Sequence, residues 1–181
     1  MFQKCLNDLK ALAQAEFHEV TDKSLHDAAV LDSFPILLMT RARETARRLR
    51  IPLVNRLLRL TQMTIYGVEI GKDVQLGEGV SFVHSLGTVI GGDAKIGARV
   101  RFMGNNTVGT AKDNGFPRIE DDVVVGCGAR ILGPIVVGEG AVIGANAVVL
   151  HDVPKGAVVA GIPAHVVGMR KDREVYKISK G

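Results

Sequence analysis

Apolar residues recur every six positions from residue 70 onward, and this period constrains the fold more than any other feature. Thirteen marker positions in three runs follow it: Ile70, Leu76, Phe82; Ile90, Ile96, Phe102, Val108; Ile119, Val125, Ile131, Val137, Ile143 and Val149. An α-helical stripe needs a period of 3.6 and an alternating strand a period of 2, so neither explains the pattern. A period of six is typical of a parallel β-helix, whose short strands turn a corner every six residues.

A second series of compact or branched residues follows four positions after nearly every marker. Its members are Val74, Val80, Leu86, Ala94, Val100, Asn106, Val123, Ala129, Ile135, Ala141, Ala147 and Val153. Glycines between the two series suit corners, where positive φ or close backbone approach is needed. Coils that pair only with their neighbours need capped ends.

The rhythm breaks twice. A step of eight from Phe82 to Ile90 predicts two extra residues near Gly87 and Thr88. A step of eleven from Val108 to Ile119 predicts that residues 110–117 leave the solenoid as a loop. Polar, glycine-containing excursions of this kind tend to carry function.

The sequence divides into a helical segment over residues 1–66, a β-helix over 67–168 and a C-terminal tail over 169–181. Apolar spacing predicts helices over 2–12, 35–50 and 52–65, with a polar break near 21–24. The helix over 35–50 carries several arginines, which we interpret as the solvated face of a helix that caps the coils. Attraction to an anionic surface is the alternative. The arginines are Arg41, Arg43, Arg47, Arg48 and Arg50.

Composition excludes several classes of protein. Aromatic residues make up 4% of the chain, which leaves few platforms for stacking bases and argues against a nucleic-acid partner. No apolar run approaches the ~20 residues that cross a bilayer, and the N-terminus lacks a signal-type stretch, so we expect a cytoplasmic protein. Cys5 and Cys127 lie far apart in different kinds of segment, and no disulfide is expected.

Four segments after residue 123 resemble the serine acetyltransferase branch of the hexapeptide-repeat acyltransferases. They are GCGARILG at 126–133, VGEGAVIGA at 137–145, VLHDVP at 149–154 and AGIPA at 160–164. The similarity extends over about residues 34–168. It implies a left-handed parallel β-helix, a homotrimer and acetyl-CoA as co-substrate. Some members associate further through N-terminal helices, so pairing of trimers stays open.

A catalytic base can be identified within this resemblance. A hydroxyl that attacks a thioester must lose its proton, and histidine suits that role because it titrates near neutral pH. The family's L-D-H-x-x-G pattern matches residues 82–87, which makes His84 the base. The family's orienting carboxylate, fifteen residues earlier, corresponds to Glu69, which would hold one ring nitrogen. A merely packed polar role for His84 is the alternative.

The resemblance also assigns a groove for acetyl-CoA between neighbouring subunits. The residues that match positions of this groove are Thr110, Cys127 and Ala145. Candidate partners for the phosphates of CoA are Arg118, Arg130 and Lys155.

The acceptor site departs from the family pattern. Val83 replaces an aspartate, while Gly115 and Phe116 replace an arginine and a histidine that belong to the amino-acid site. Val83, Asn114 and Phe116 are therefore predicted to contact a hydroxyl acceptor that is not an amino acid, such as a saccharide of a surface polysaccharide.

Three other functions remain open from the sequence. They are serine O-acetyltransferase in cysteine biosynthesis, a non-catalytic trimeric scaffold, and a zinc hydratase on the same architecture. The last requires three converging histidines, whereas His151 and His165 lie near the far end of the coils, so no metal is expected.

Overall fold

Four helices precede the strands in the computed structural model, which describes residues 1–112 and 114–170. They are α1 (Phe2–Phe17), α2 (Asp22–Ala29), α3 (Ser33–Arg48) and α4 (Pro52–Ile65). The predicted helices over 35–50 and 52–65 correspond to α3 and α4. Most of the predicted tail, from residue 171 onward, lies outside the described residues. No helix in the described ranges is long and apolar enough to cross a membrane.

The polar break predicted near residues 21–24 lies at residues 18–21, between α1 and α2, and residues 22–24 already form the first turn of α2. The Thr21 hydroxyl accepts a hydrogen bond from the Ser24 backbone N–H at 3.2 Å, and the Ser24 hydroxyl accepts one from the Thr21 N–H at 2.8 Å. This reciprocal capping box fixes the first turn of the helix. The polar cluster is therefore a helix start.

Short strands follow α4. They are β1 (Val68–Ile70), β2 (Gln75–Leu76), β3 (Ser81–Phe82), β4 (Thr88–Ile90), β5 (Lys95–Ile96), β6 (Arg101–Phe102), β7 (Thr107–Gly109), β8 (Arg118–Ile119), β9 (Val124–Val125), β10 (Arg130–Leu132), β11 (Val136–Val137), β12 (Val142–Ile143), β13 (Val148–Val149), β14 (Ala157–Gly161) and β15 (Ala164–Met169).

The strands form a left-handed parallel β-helix of about five turns, as predicted. Its three faces are sheet A (β1-β4-β7-β10-β13), sheet B (β2-β5-β8-β11) and sheet C (β3-β6-β9-β12-β14-β15). Pairing is parallel except between β14 and β15, which form an antiparallel hairpin at the far end.

The register of the paired strands reflects both interruptions of the six-residue period. On sheet B, Gln75 pairs with Lys95, Lys95 with Arg118, and Arg118 with Val136. A regular coil of three six-residue steps separates the last pair, whereas the earlier coils contain two and five extra residues. These insertions fall between β3 and β4 and between β7 and β8, where the sequence predicts them.

All thirteen marker residues are buried along the axis. The second series is buried as well, except for Leu86, which is 72% exposed. The two-residue insertion shifts the inward position from Leu86 to Thr88, which is fully buried. The spacing of the second series therefore fails at Leu86, because a count from Phe82 ignores the insertion.

The first coil leaves three carbonyl groups without a strand partner. The N–H groups of Gly71, Gly77 and Val83 bond to the second coil at 2.8–2.9 Å. Because N–H and C=O point in opposite directions across a trans peptide, the preceding carbonyls point out of the open end. These carbonyls belong to the marker residues Ile70, Leu76 and Phe82.

Helix α3 caps this end with side-chain donors. The bonds are Arg43 to the Ile70 oxygen (2.9 Å), Arg41 to the Leu76 oxygen (2.9 Å) and the Ser33 hydroxyl to the Phe82 oxygen (3.3 Å). Arg41 and Arg43 are buried. The prediction that α3 caps the coils holds, but its interpretation as a solvated arginine face is wrong for these two residues, because their guanidinium groups supply the donors that the end of the solenoid needs.

Candidate functional site

His84 lies on an exposed corner between sheets C and A, just after β3. The pairings of β3, β6, β9 and β12 align it with one residue on each of the next three coils, namely Gly104, Cys127 and Ala145. We call these four residues the histidine column. A Cβ added at Gly104 would lie 3.0 Å from the His84 Cβ, and Cys127 and Ala145 are small and exposed. The histidine therefore stands at one end of a shallow track of small side chains.

Glu69 lies on β1, directly opposite Val89 rather than His84. His84 lies five positions before the residue that pairs with Glu69, and two of these five positions come from the insertion between β3 and β4. In the described part of the chain, the Glu69 carboxylate forms an ion pair with Arg59 of α4, and no hydrogen bond joins it to His84. The orienting role of Glu69 stays a prediction.

Sequence reasoning missed Arg59 as the partner of this carboxylate. No motif distinguishes Arg59 from Arg56, the other arginine of α4, since the contact depends on how the helix packs beside β1. The same packing lowers the pKa of Arg43, first through burial and then through the positive charges of Arg59 and Arg47.

Thr110 lies on the next corner, between sheets A and B. It lies six residues after Gly104 of the histidine column, so the two residues are at most about 20 Å apart. Its hydroxyl oxygen is buried and has no hydrogen-bond partner among the described residues. A buried hydroxyl without a partner fits a position that a ligand's polar group would satisfy.

Asn114 and Phe116 accompany Thr110 at this second corner. Asn114 is exposed, whereas the half-buried Phe116 ring covers Gly91 and Gly92 of its own solenoid. A Cβ at Gly92 would come within 2.1 Å of the ring. Phe116 therefore anchors the loop to the coils.

The three cations predicted to meet CoA phosphates lie on different faces. Arg118 projects from sheet B, 3.9 Å from Glu120. Arg130 projects from sheet A and donates hydrogen bonds to Asn105. Lys155 lies between sheets B and C, 2.6 Å from Glu139. One chain does not bring these three charges together.

Register also places a second cation beside Arg118. Lys95 is its direct neighbour on sheet B. Together they line a groove of about 730 Å³. The 23-residue separation hid this pair from sequence reasoning, because it includes the loop insertion.

Val83, the last of the predicted acceptor contacts, is half-buried beside His84. Its N–H bonds to the Phe102 oxygen at 2.9 Å. No three His, Cys, Asp or Glu side chains in the described ranges are grouped closely enough to hold a metal ion.

Comparisons with known proteins identify relatives of this chain. The model of the bacterial transferase hexapeptide (six repeats) matches residues 116–151. Serine acetyltransferase from Synechococcus elongatus is 39% identical over 145 residues, which cover 77% of this chain and 59% of that protein. The chain spans about half the length of the curated relatives it matches.

Solved structures agree with these relatives. A soybean serine acetyltransferase complexed with serine superimposes with a TM-score of 0.78 and 32% identity, covering 91% of this chain and 68% of that one. A Brucella abortus serine acetyltransferase in complex with coenzyme A gives a TM-score of 0.82 and 26% identity, covering 92% and 69%.

These comparisons overturn the predicted non-amino-acid acceptor. The similar proteins are serine acetyltransferases, and nothing among them supports a polysaccharide acceptor. The structure supplies a physical reason for the error. Phe116 was interpreted as an apolar acceptor contact, whereas its ring packs on Gly91 and Gly92, so packing alone accounts for an aromatic residue there.

Proposed function

This chain belongs to the serine acetyltransferase branch of the hexapeptide-repeat acyltransferases, and from that premise we propose that it transfers an acetyl group from acetyl-CoA to the hydroxyl of serine. The histidine column carries the proposal. It combines an exposed imidazole with a track of small residues, along which the thioester arm of a carrier can approach closely.

His84 acts as general base and then as general acid. Its imidazole takes the proton of the serine hydroxyl while that oxygen attacks the thioester carbonyl. The tetrahedral intermediate then expels the CoA sulfur, which receives the proton from the imidazolium. The products are O-acetylserine and free CoA, and the base returns to its neutral form. Glu69 would steady the imidazolium if assembly turns its carboxylate from Arg59 toward the ring.

A homotrimer completes the site in this proposal. Thr110 and Phe116 occupy one corner of the solenoid, and the histidine column occupies another. A cyclic arrangement brings unlike patches of neighbouring copies together, so it can set the first corner of one subunit against the second corner of the next. The unpartnered Thr110 hydroxyl supports a ligand at that junction. The free thiols of Cys5 and Cys127 suit a reducing cytoplasm, where we propose that the reaction occurs.

The acceptor side of the site lacks charged residues at its predicted contacts, which should weaken the binding of serine. The carboxylate and ammonium groups of serine favour charged partners, and Val83 and Gly115 carry no charge where the family has an aspartate and an arginine. We expect a KM for serine above about 1 mM, beyond the usual upper limit for enzymes.

The test measures thiol release from acetyl-CoA by the purified full chain, with O-acetylserine identified by mass spectrometry. Serine should stimulate release, and His84→Ala should lower kcat by about 10²–10⁴-fold. The matched control is His165→Ala, an exposed histidine on β15. Absence of serine-dependent release by the wild-type chain, or full activity in His84→Ala, would overturn the proposal.

A further inference from the structure

Helix α4 is amphipathic, but its polar side faces the protein and its apolar side faces outward. Its polar residues Gln62 and Asn55 face the protein and bind Arg43, at 2.6 and 3.3 Å. Leu53, Leu57 and Leu60, spaced i, i+4, i+7 on one stripe, face outward and are 75%, 62% and 47% exposed. A surface helix normally buries such a stripe.

The apolar surface extends beyond this stripe. It continues along α4 and around the turn from α3 through residues that are also exposed, namely Leu49, Ile51, Val54, Met63 and Ile65. Scattered exposed apolar residues are ordinary, but eight exposed apolar residues within positions 49–65 form a concentration of the kind that marks an interaction site. We call the eight residues the α4 patch.

Positive charge surrounds the α4 patch. Residues 45–68 contain five arginines and no Asp or Glu. Arg47 and Arg59 pair with Asp73 and Glu69. The exposed side chains of Arg48, Arg50 and Arg56 have no ion pair or hydrogen bond within the described ranges.

We propose that the α4 patch docks on the surface of an anionic lipid membrane, with α4 lying in the plane of the interface. The leucines would enter the boundary between headgroups and acyl chains, while Arg48, Arg50 and Arg56 meet lipid phosphates. At 14 residues, α4 is about 21 Å long, which suits an interfacial helix rather than a spanning one. The inference is independent of the proposed reaction.

Charge disfavours a two-fold contact between copies of the chain through the α4 patch, and loss of subunits in the leucine variant tests a cyclic one. Two copies joined by a two-fold axis through the α4 patch would bring like arginines together, because such an interface pairs each patch with itself. The patch supplies no acid to offset them. An anionic lipid surface provides both the apolar layer and the opposite charge.

The test is flotation of the full chain with vesicles. Phosphatidylcholine vesicles containing about one third phosphatidylglycerol are compared with phosphatidylcholine alone, in about 0.1 M and 0.5 M salt. We expect flotation with the anionic vesicles only, and a loss at high salt. Leu53→Ser/Leu57→Ser/Leu60→Ser and Arg48→Gln/Arg50→Gln/Arg56→Gln should each reduce bound protein at least ten-fold. Val30→Ser is the matched control, since Val30 is 72% exposed at the end of α2.

Three further measurements distinguish loss of membrane binding from misfolding and from loss of subunits. Circular dichroism and thiol release with serine in solution should be unchanged in both triple variants, which rules out misfolding. Sedimentation velocity should give the same oligomeric state as the wild type. The proposal fails if the wild type does not float with anionic vesicles, if the triple variants float equally well, or if the leucine variant loses subunits.

Discussion

Arg41 and Asp8 form a two-bonded ion pair, with nitrogen–oxygen distances of 3.0 and 3.2 Å, and each side chain is only 1% exposed. The pair joins α1 to α3 at the open end of the solenoid, where Arg41 also binds the Leu76 and Gly77 oxygens. Burial alone would lower the pKa of Arg41, but bonding to Asp8, with a further contribution from Glu44, raises it above its usual value. The guanidinium is thus a charged link between helices and coils.

Removing Asp8 should destabilise the fold strongly. Asp8→Ala removes both carboxylate bonds to the buried Arg41 guanidinium and leaves only the more exposed Glu44 carboxylate, at 3.0 Å, as its counter-charge, so we expect a cost approaching the ~3–5 kcal/mol of a broken buried pair. The measurement is the free energy of unfolding in urea. Asp73→Ala is the control, because Asp73 meets Arg47 at 3.5 Å on the surface, where such pairs contribute less than about 1 kcal/mol. Similar losses in the two variants would contradict a special role for the buried pair.

Ser33 should matter more than Ser81, a half-buried serine whose hydroxyl oxygen is also shielded from solvent. Its hydroxyl accepts from the Phe82 N–H at 2.8 Å and donates to the Phe82 oxygen at 3.3 Å, so Ser33→Ala strands two buried backbone groups. We expect a loss of about 1–3 kcal/mol in the urea unfolding free energy.

Ser81→Ala provides the same substitution without that consequence. The Ser81 hydroxyl is buried and has no hydrogen-bond partner among the described residues. Its removal should be neutral or slightly stabilising. Equal destabilisation by the two variants would count against the capping role of Ser33.

The β-helix could be predicted from sequence because its determinants are local and periodic. Each marker residue from Ile70 to Val149 occupies an equivalent inward position, so one spacing rule describes them all. Both insertions were visible as altered steps. Leu86 fits the second series by spacing but is exposed, because the rule, applied across an insertion, counts residues that leave the coil.

The cap and the site could not be predicted in the same way. Arg41 and Arg43 resemble any basic helix face until the free carbonyls of the first coil are located in space. Glu69 was matched to His84 by separation along the chain, whereas strand register aligns it with Val89. Contacts between elements depend on packing geometry, which the spacing of residues does not encode.

Gly92 should be intolerant of a side chain. Its φ is +60°, and a Cβ would lie 2.1 Å from the Phe116 ring. Gly92→Ala therefore combines backbone strain with displacement of the loop anchor, and we expect a loss of about 3 kcal/mol or more in unfolding free energy.

Gly140→Ala separates these two effects. Gly140 has a similar φ of +68°, but a Cβ there meets nothing within 4 Å. Strain alone should cost about 1–2 kcal/mol. Without the Phe116 ring, only backbone strain should remain at Gly92. In the Phe116→Ala background, Gly92→Ala should therefore lower the unfolding free energy by about 1–2 kcal/mol at most. Equal costs for the two single glycine variants would show that the ring does not restrict Gly92.

Glu69→Gln tests whether the carboxylate orients His84 in the assembled protein. A positioning role predicts that kcat falls by up to about 10⁴-fold with serine as acceptor, while the KM for acetyl-CoA changes little. Arg59→Met is the comparison, since it removes the observed partner of Glu69 and keeps the carboxylate. If Glu69 serves only the ion pair with Arg59, both variants should retain activity and lose similar, small amounts of stability.

Enlarging the histidine column should impair binding of the acyl carrier. Ala145→Leu adds a branched side chain to the exposed track in line with His84 and Cys127, so close approach of the thioester arm is blocked. We expect the KM for acetyl-CoA to rise at least ten-fold, the equivalent of about 1.4 kcal/mol, with unfolding free energy unchanged. Ala98→Leu makes the same change on the corner between sheets B and C, away from the column, and should leave the KM unaltered. An unchanged KM in Ala145→Leu would mean that the carrier follows another path, because an exposed leucine cannot avoid a ligand lying along this track.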